Sequence, residues 1–282
     1  MIWLHFFTGR TFEIKVYPFS YKEYLEYYNK ENNEKAFDSY VYEGGLSGSY
    51  LYKENDEKYN YVNDIYNTLI KRDICNKYKI KKEHLLDMIN DFLMDNISNL
   101  TSIRNISDSL TNNKDKINHK TVSLYIKYLC NAFLFYKIRR YDIQGKRYLL
   151  SQDRYYLVDQ SFKFAKLGTK NINNGRVYEN IIAIELLRRG YEVYVGTLYK
   201  KEIDFVATKR NEKIYIQVSS DIGDDFENKT FRREVEPLLK IKDAVIYDLD
   251  STPVSQKTWS ELENMRIYYD FFKSHAQEFE KN

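Results

Sequence analysis

The stretch that most constrains the fold of this chain is residues 175–250, where apolar periodicity predicts one helix, three strands, a second helix and a fourth strand. Glu179 lies near the start of the first helix, and Asp204 lies on the second strand. The third strand ends with Gln217 and Ser219, which are two residues apart and therefore share a face. We expect these four polar side chains to meet at one end of the sheet.

This order of elements resembles the restriction-endonuclease-like PD-(D/E)XK core, in which a helix Glu, a strand Asp and a Glu-x-Lys pair surround a magnesium ion. The resemblance implies that Glu179 and Asp204 are metal ligands and that Gln217 and Ser219 replace the Glu and the Lys. An active site needs carboxylate oxygens to hold magnesium and a Lys to organise the attacking water. Since an amide and a hydroxyl carry no charge for either task, we expect the fold without the catalysis. No cofactor is expected, except Mg²⁺ if the site is active.

Two further expectations concern the same strands. Strict alternation on the second strand places Asp204 on one face with Glu202 and Val206. If Gln217 and Ser219 alone inactivate the site, the double change Gln217→Glu and Ser219→Lys should create magnesium affinity. Four other cations are candidates for the role of the missing Lys: Lys200, Lys201, Lys213 and Lys229.

The apolar pattern of residues 84–158 predicts three helices and a β-hairpin, which is the element order of a winged helix-turn-helix. The helices are predicted at residues 85–97, from Ser102 onward, and from an N-cap at Asn118 or His119. The hairpin strands are predicted at residues 135–141 and 146–150, with a further strand at 155–158.

Positive charge is concentrated in this segment. Ten Lys and Arg lie between residues 114 and 154 against three acids, whereas the whole chain has a net charge of +3. Such a cluster at the third helix and the wing is typical of phosphate contact. A winged helix that packs on protein remains the alternative. The predicted nucleic-acid contacts are Lys114, Lys116, Lys120, Lys127, Arg139, Arg140, Lys146 and Arg147, while Lys137 and Arg154 complete the ten.

The N-terminal part is predicted to be largely helical. Residues 11–17 alternate as a half-buried strand does, and Ser20 with Glu23 has the spacing of a helix capping box. Glycines at 44, 45 and 48 predict a loop, and residues 62–78 predict a helix. The apolar stripe of that helix comprises Ile65, Leu69, Ile70 and Ile74.

Several other residues have an ordinary structural interpretation. Arg72 and Asp73 are expected to form a surface ion pair. Cys75 and Cys130 lie in apolar surroundings and are expected to be reduced core residues of a cytoplasmic protein. The four histidines show no metal-ligand spacing: His5, His84, His119 and His275.

A second resemblance covers nearly the whole chain. The motifs that carry it lie at residues 9–14, 18–24, 43–46, 69–74, 120–125, 175–180, 202–206 and 217–218, and at the predicted helix 231–243. In this order they resemble the C-terminal half of prokaryotic AAA-type ATPases, a domain of unknown function (DUF4143). The phosphate loop of that family, Gly-x-x-x-x-Gly-Lys-Ser/Thr, does not occur in this sequence. The resemblance therefore implies a C-terminal half with no route to ATP hydrolysis on its own.

The sequence thus predicts an α+β chain of three parts: a helical remnant of an ATPase module at 1–80, a winged helix at 81–168, and a restriction-endonuclease-like domain with a mixed sheet at 169–282. We expect it to bind DNA or a partner protein, without catalysis, for a separate ATPase half. A magnesium-dependent nuclease using Glu179 and Asp204, and a protein-binding regulator of a defence or toxin-antitoxin system, are the alternatives. No run of eighteen apolar residues occurs, so no membrane contact is expected.

Overall fold

A computed structural model describes residues 14–111, 117–169, 173–199, 201–210, 212–219, 245–248 and 266–267. These ranges form an α+β structure with a mixed sheet, which confirms the predicted fold class. The helices are α1 (Tyr21–Tyr28), α2 (Glu34–Glu43), α3 (Asn55–Thr68), α4 (Glu83–Asp95), α5 (Ile103–Leu110), α6 (His119–Asn131), α7 (Ser161–Leu167) and α8 (Asn174–Arg188). The strands are β1 (Phe135–Asp142), β2 (Arg147–Leu157), β3 (Glu192–Leu198), β4 (Lys201–Lys209), β5 (Glu212–Ile216), β6 (Val218–Ser219), β7 (Val245–Asp248) and β8 (Arg266–Ile267).

The N-terminal segment differs from its prediction. Residues 11–13 of the predicted strand lie outside the described residues. Residues 14–17 are not part of a strand, and the side chains of Ile14 and Val16 are 75% and 89% exposed. The alternating pattern was a misleading signal because a strand needs a neighbouring strand for its backbone hydrogen bonds. The capping box is confirmed, since Ser20 accepts from the backbone N–H of Glu23 and Glu23 accepts from that of Ser20.

The predicted helix 62–78 starts earlier and changes its winding. It begins at Asn55 as α3 and continues through Leu69–Asn76 as a π-helical segment. Such wider turns displace the side chains from the 3.6-residue periodicity on which the prediction rested. Ile65, a predicted core residue, lies in α3 before these turns and is 37% exposed, whereas Ile74 lies within the π-helical segment and is buried. The Arg72–Asp73 surface ion pair is confirmed, with Nε 2.7 Å from Oδ1.

The loop after α2 is held by a buried carboxylate. Asp159 accepts hydrogen bonds from the backbone N–H of Gly45 at 2.6 Å and from that of Ser161 at 2.9 Å. Gly44 has φ +73, and a Cβ atom there would overlap the Asp159 carboxylate. The two glycines thus have a structural role, because a Cβ at Gly44 would overlap Asp159 and a Cβ at Gly45 would overlap the backbone of Phe19.

Helices α4, α5 and α6 with the β1–β2 hairpin follow the order of a winged helix. Asn118, one of the two predicted N-caps, is the N-cap of α6, and its side chain accepts from the backbone N–H of Lys120. An isolated bridge between Thr101 and Asp153 places the α4–α5 connection beside β2. The further strand predicted at 155–158 is wrong, because β2 continues without a break to Leu157.

The hairpin is not a free-standing wing. β1 pairs with β2 in antiparallel orientation and with β3 in parallel, in a sheet of order β2-β1-β3-β4-β5. A second ladder of parallel strands has the order β6-β7-β8. The sheet therefore crosses the predicted boundary at residue 168, and the three-part division of the chain stays a prediction.

Two sequence expectations about burial and membranes can be placed on this fold. Cys75 and Cys130 are free thiols, one buried and one half-buried. Within the described ranges, no helix combines the length and the apolar character that a membrane crossing requires.

Candidate functional site

The candidate site is built on α8, which presents Glu179 toward the sheet. Asn173 caps this helix by accepting from the N–H of Arg176, and Val177 is among its fully buried apolar residues. Asn180 is also fully buried: its amide accepts from the N–H of Leu157 at 2.7 Å and donates to the same residue's carbonyl at 2.9 Å. These bonds fix α8 against the end of β2, so Glu179 is held at 8% exposure beside the sheet.

Asp204 reaches the same place because β4 bulges. Two residues of β4, Asp204 and Phe205, lie opposite the single residue Val195 of β3. Such a bulge re-aims the side chains on either side of it. A Cβ on Gly196 would come within 2.9 Å of Val206 and 3.0 Å of Ile203.

Ile203 and Val206 thus share one face although they are three residues apart. The prediction that Asp204 shares a face with Val206 is therefore wrong. The prediction that Asp204 shares a face with Glu202 is confirmed, because both carboxylates pair with Arg154.

Arg154 of β2 occupies the centre of the site. Its Nη1 donates to Oε1 of Glu179 and, at 3.0 Å, to Oδ1 of Asp204. Its Nη2 donates to Oε2 of Glu202 at 3.1 Å. The Arg154 side chain is 9% exposed, so one buried cation is shared by three carboxylates. The cluster carries a surplus of negative charge whenever all three acids are ionised.

The surplus charge affects the protonation of Glu179. Burial, and then the neighbouring Asp204 carboxylate, raise the pKa of Glu179 to about 8, against the opposing influence of Arg154. The hydroxyl of Tyr156, fully buried, donates to Oε1 of Glu179 at 2.6 Å. The carboxyl of Glu179 is therefore partly protonated near neutral pH.

The remaining strand residues complete the surroundings of Asp204. The backbone N–H of Val218 donates to Oδ2 of Asp204 at 3.0 Å. The side-chain oxygen of Gln217 accepts from the backbone N–H of Asp204 at 3.3 Å. Gln217 thus lies at the site as predicted, and its amide oxygen is used in a structural hydrogen bond. The backbone of Ser219 is in β6, and its side chain lies outside the described residues.

These residues do not fit the magnesium ion that the first resemblance implies. A hard divalent cation needs carboxylate oxygens that are free to face it. Here Glu179 and Asp204 both face a guanidinium, which already supplies the positive charge, and Gln217 adds no negative charge. Among the described residues, no group of three or more His, Cys, Asp or Glu could hold a metal ion.

The sequence analysis did not place Arg154, the central residue of this site, beside Glu179 and Asp204. Arg154 was counted only among the ten basic residues of the segment 114–154 and was not one of the predicted nucleic-acid contacts, whereas the structure buries it and pairs it with three carboxylates. The signal was present: Arg154 and Tyr156 lie two apart in an otherwise apolar strand end, and therefore share a face. A charged residue on a buried face requires a buried partner of opposite charge.

The predicted nucleic-acid contacts differ in their surroundings. Lys120, Lys127 and Lys146 are exposed and form no ion pair with the described residues. Arg140 instead donates to Glu202 at 3.4 Å, and Arg147 lies 3.4 Å from Asp142. Arg139 lies over the ring of Tyr148, and the sites of Lys114 and Lys116 lie outside the described residues.

Of the other candidates, neither Lys213 nor the described histidines His84 and His119 lie at the acidic site. Lys213, considered as a substitute for the missing Lys, lies 5.4 Å from the ring centroid of Tyr141. Lys200 and Lys229 lie outside the described residues. His84 and His119 are exposed, the first on α4 and the second at the start of α6.

Comparison with known proteins gives relatives without an assigned activity. A family model described as a domain of unknown function (DUF8612) matches residues 34–173. An uncharacterized protein of Haemophilus influenzae is 38% identical over 240 residues, which cover 84% of this chain and 58% of that protein. An uncharacterized protein of Methanocaldococcus jannaschii is 23% identical over 248 residues, covering 82% and 55% of the two chains. The chain thus spans somewhat more than half the length of these relatives. No solved structure matches.

Proposed function

We propose that this chain is a non-catalytic DNA-binding region that acts beside the ATP-binding part of an AAA-type ATPase. The observation that carries the proposal is the outer surface of α6, which contains no acidic residue and presents two lysines that form no ion pair with the described residues. In a winged helix this element approaches DNA, and lysines without a protein partner are available to phosphates.

Helix α6 separates its buried and exposed residues cleanly. Its inner face packs through fully or nearly fully buried apolar side chains, Val122 and Leu129 among them. Lys120, Ser123 and Lys127 are all exposed on the outer side. Short polar and basic side chains of this kind contact the DNA backbone and position the protein without selecting a sequence.

The buried Arg154 supports the non-catalytic assignment and opposes the nuclease alternative. A metallonuclease would have to displace the guanidinium from Glu179 and Asp204 before a metal could enter, and the displaced guanidinium would be left as an unpaired charge in the interior. The amide of Gln217 adds no charge that would favour this exchange.

The assignment of an ATPase partner rests on the resemblance of the motifs and on length. The two relatives extend well beyond the region that matches this chain, which leaves room in them for a further domain. The phosphate-binding glycine loop is absent from this sequence, so the proposal places ATP hydrolysis in a separate part.

Duplex binding tests the proposal directly. The double variant Lys120→Gln with Lys127→Gln should weaken binding to every duplex sequence, because phosphate contacts carry no sequence information. The slope of log Kobs against log salt should become shallower by about two, since each phosphate contact contributes about 0.9. Fluorescence anisotropy over a series of salt concentrations measures both.

The matched control is Lys35→Gln with Lys53→Gln, two exposed lysines of the N-terminal helical part. It removes the same charge and should leave the slope unchanged. Wild-type protein that fails to bind duplex at low salt, or binds it independently of salt, contradicts the proposal.

One feature favours the protein-binding alternative. Leu124 is 44% exposed on the outer side of α6, at the edge of a groove of about 1020 Å³. Apolar side chains of α4, including Leu85 and Met88, line that groove. If the groove holds a partner protein, Leu124→Glu should abolish binding of that protein. Added duplex DNA should leave the binding of that protein unchanged.

A further inference from the structure

The face of the sheet that points away from α8 carries a cluster of three tyrosines beside exposed cations. Tyr141 and Tyr148 are cross-strand partners on β1 and β2, and Tyr141 is also aligned with Gly196 of β3. Tyr194 lies two residues before Gly196 on β3, so it shares that face. The opposite face packs Phe205 and its neighbours into the core.

The three rings lie close enough to form one surface. Their centroids are 5.6 Å apart for Tyr141 and Tyr148, 5.1 Å for Tyr148 and Tyr194, and 6.0 Å for Tyr141 and Tyr194. Tyr148 is 51% exposed, and the other two are half-buried. An open aromatic surface of this kind on a sheet is suited to stacking a flat ligand.

Positive charge borders the cluster on two sides. The guanidinium of Arg139 lies 5.5 Å from the ring of Tyr148, and the ammonium of Lys213 lies 5.4 Å from the ring of Tyr141. Both cations are exposed. One acid is present as well: Glu192 accepts from the hydroxyl of Tyr194 at 3.3 Å. In the described part of the chain, no acidic side chain forms an ion pair with Arg139 or Lys213.

We propose that the tyrosine face, formed by Tyr141, Tyr148 and Tyr194 with Arg139 and Lys213, binds single-stranded DNA by stacking unpaired bases. Aromatic rings flanked by Lys or Arg serve this purpose because every base has a π-face and every nucleotide a phosphate. In duplex DNA the base faces are stacked inside the helix and cannot stack on these rings. Duplex DNA would therefore contact α6 through its phosphates and would not bind the tyrosine face. The tyrosine face takes from the proposed function only that the ligand is DNA.

The test compares two DNA probes on the full chain. A labelled oligo-dT of about 20 nucleotides is long enough to cover a site of this size. Tyr148→Ala should bind it about 5- to 150-fold more weakly, since stacking of one base contributes about 1–3 kcal/mol. Tyr148→Phe keeps the ring and should bind as the wild type does. Duplex affinity should not change in either variant.

Two further variants separate stacking from folding. Tyr148→Ile keeps a bulky strand-forming side chain without a ring, and should lose oligo-dT binding as Tyr148→Ala does. Tyr27→Ala removes a tyrosine of similar exposure, 48%, from α1 and should bind normally. Oligo-dT binding that is unaffected in Tyr148→Ile, or absent in the wild type, overturns the inference.

The two proposals fail separately. Wild-type protein that binds duplex and not oligo-dT overturns the tyrosine face and leaves the α6 proposal standing. Oligo-dT binding that depends on Tyr148, in a protein with no affinity for duplex, upholds the tyrosine face and overturns the role of α6.

Discussion

Arg154 decides what the acidic site can do. A guanidinium on a surface strand would be available to phosphates, whereas this one is held by Glu179, Asp204 and Glu202 at 9% exposure of its side chain. Its removal leaves an uncompensated group of carboxylates, which is the costly way to break a buried ion pair. Those carboxylates are then available to a different cation.

We expect that replacing Gln217 and Ser219 alone does not restore magnesium binding. The double variant Gln217→Glu with Ser219→Lys keeps Arg154, whose guanidinium still pairs with the three carboxylates. Adding Arg154→Ala frees them, and Mg²⁺ should then stabilise the triple variant. At a concentration ten times Kd the gain is about 1.4 kcal/mol, which a thermal unfolding curve with and without Mg²⁺ detects.

The control for that experiment adds Arg147→Ala to the same double variant in place of Arg154→Ala. Arg147 is 74% exposed and pairs with Asp142, away from the acidic site. Stabilisation of the double variant by Mg²⁺ would show that Arg154 does not exclude the metal.

Glu179 should make stability depend on pH. Its pKa is about 8 in the folded protein, above the ordinary value of 4.5 that applies when the chain is unfolded. Below pH 4.5 both states hold the proton, so its contribution is fully present there. Between 4.5 and 8 the unfolded state releases the proton first, and stability falls until the pH has passed through 8.

The variant Glu179→Gln cannot ionise, so its stability should decline less between pH 5 and 8, by about 1 kcal/mol or more. Urea unfolding at several pH values measures this. Glu26→Gln, at an exposed glutamate of α1, is the control and should follow the wild type. A wild-type curve that rises with pH relative to Glu179→Gln would contradict the raised pKa.

At the scale of single elements, the winding of a helix and the register of a strand limited what the sequence could predict. Caps were predictable because they depend on neighbouring residues, as Ser20 with Glu23 shows. The π-helical segment Leu69–Asn76 and the bulge at Asp204 were not, because each depends on packing against distant parts of the chain. Glu179 and Asp204 could be expected at one site from the order of their elements. The position of Arg154 could not be predicted, because it depends on β2 belonging to the same sheet as β4.

Two glycines at helix ends allow the packing of the α2 loop to be measured. Gly44 ends α2 with φ +73 and ψ −168, and Gly168 ends α7 with φ +78 and ψ −174. Alanine at either pays the same backbone cost, about 1–3 kcal/mol. Only at Gly44 would the new Cβ also overlap Asp159, whereas Gly168 faces open space.

Gly44→Ala should therefore be less stable than Gly168→Ala by a further 1–3 kcal/mol or so, the usual cost of overpacking. Urea unfolding of both variants measures the difference. Equal destabilisation would mean that the loop moves away from Asp159 without cost.

At the scale of the whole molecule, α8 joins all three predicted parts. Arg188 near its end donates to Glu23 of the N-terminal helices at 3.2 Å. Asn180 bonds Leu157 of the hairpin, and Glu179 meets Arg154. One hydrophobic cluster extends from Tyr21 through the winged-helix part to α8. Sequence periodicity identified the helices and strands of these parts but could not show which of them pack together.

We expect the described parts to unfold as one cooperative unit, with no separate unfolding at residue 168. Asn180→Ala tests this, because it leaves the buried N–H and C=O of Leu157 without their partner, at a cost of about 1–3 kcal/mol for each group. Native-state hydrogen exchange should then show the same loss of protection in α6 of the winged helix and in β4 of the sheet. Asn131→Ala, at an exposed residue with one 3.4 Å bond to Tyr78, should change neither. Loss of protection confined to β4, with α6 unaffected, would contradict this expectation and establish two units that unfold independently. In one cooperative unit, a loss of stability at one place lowers the protection of all amides of the unit.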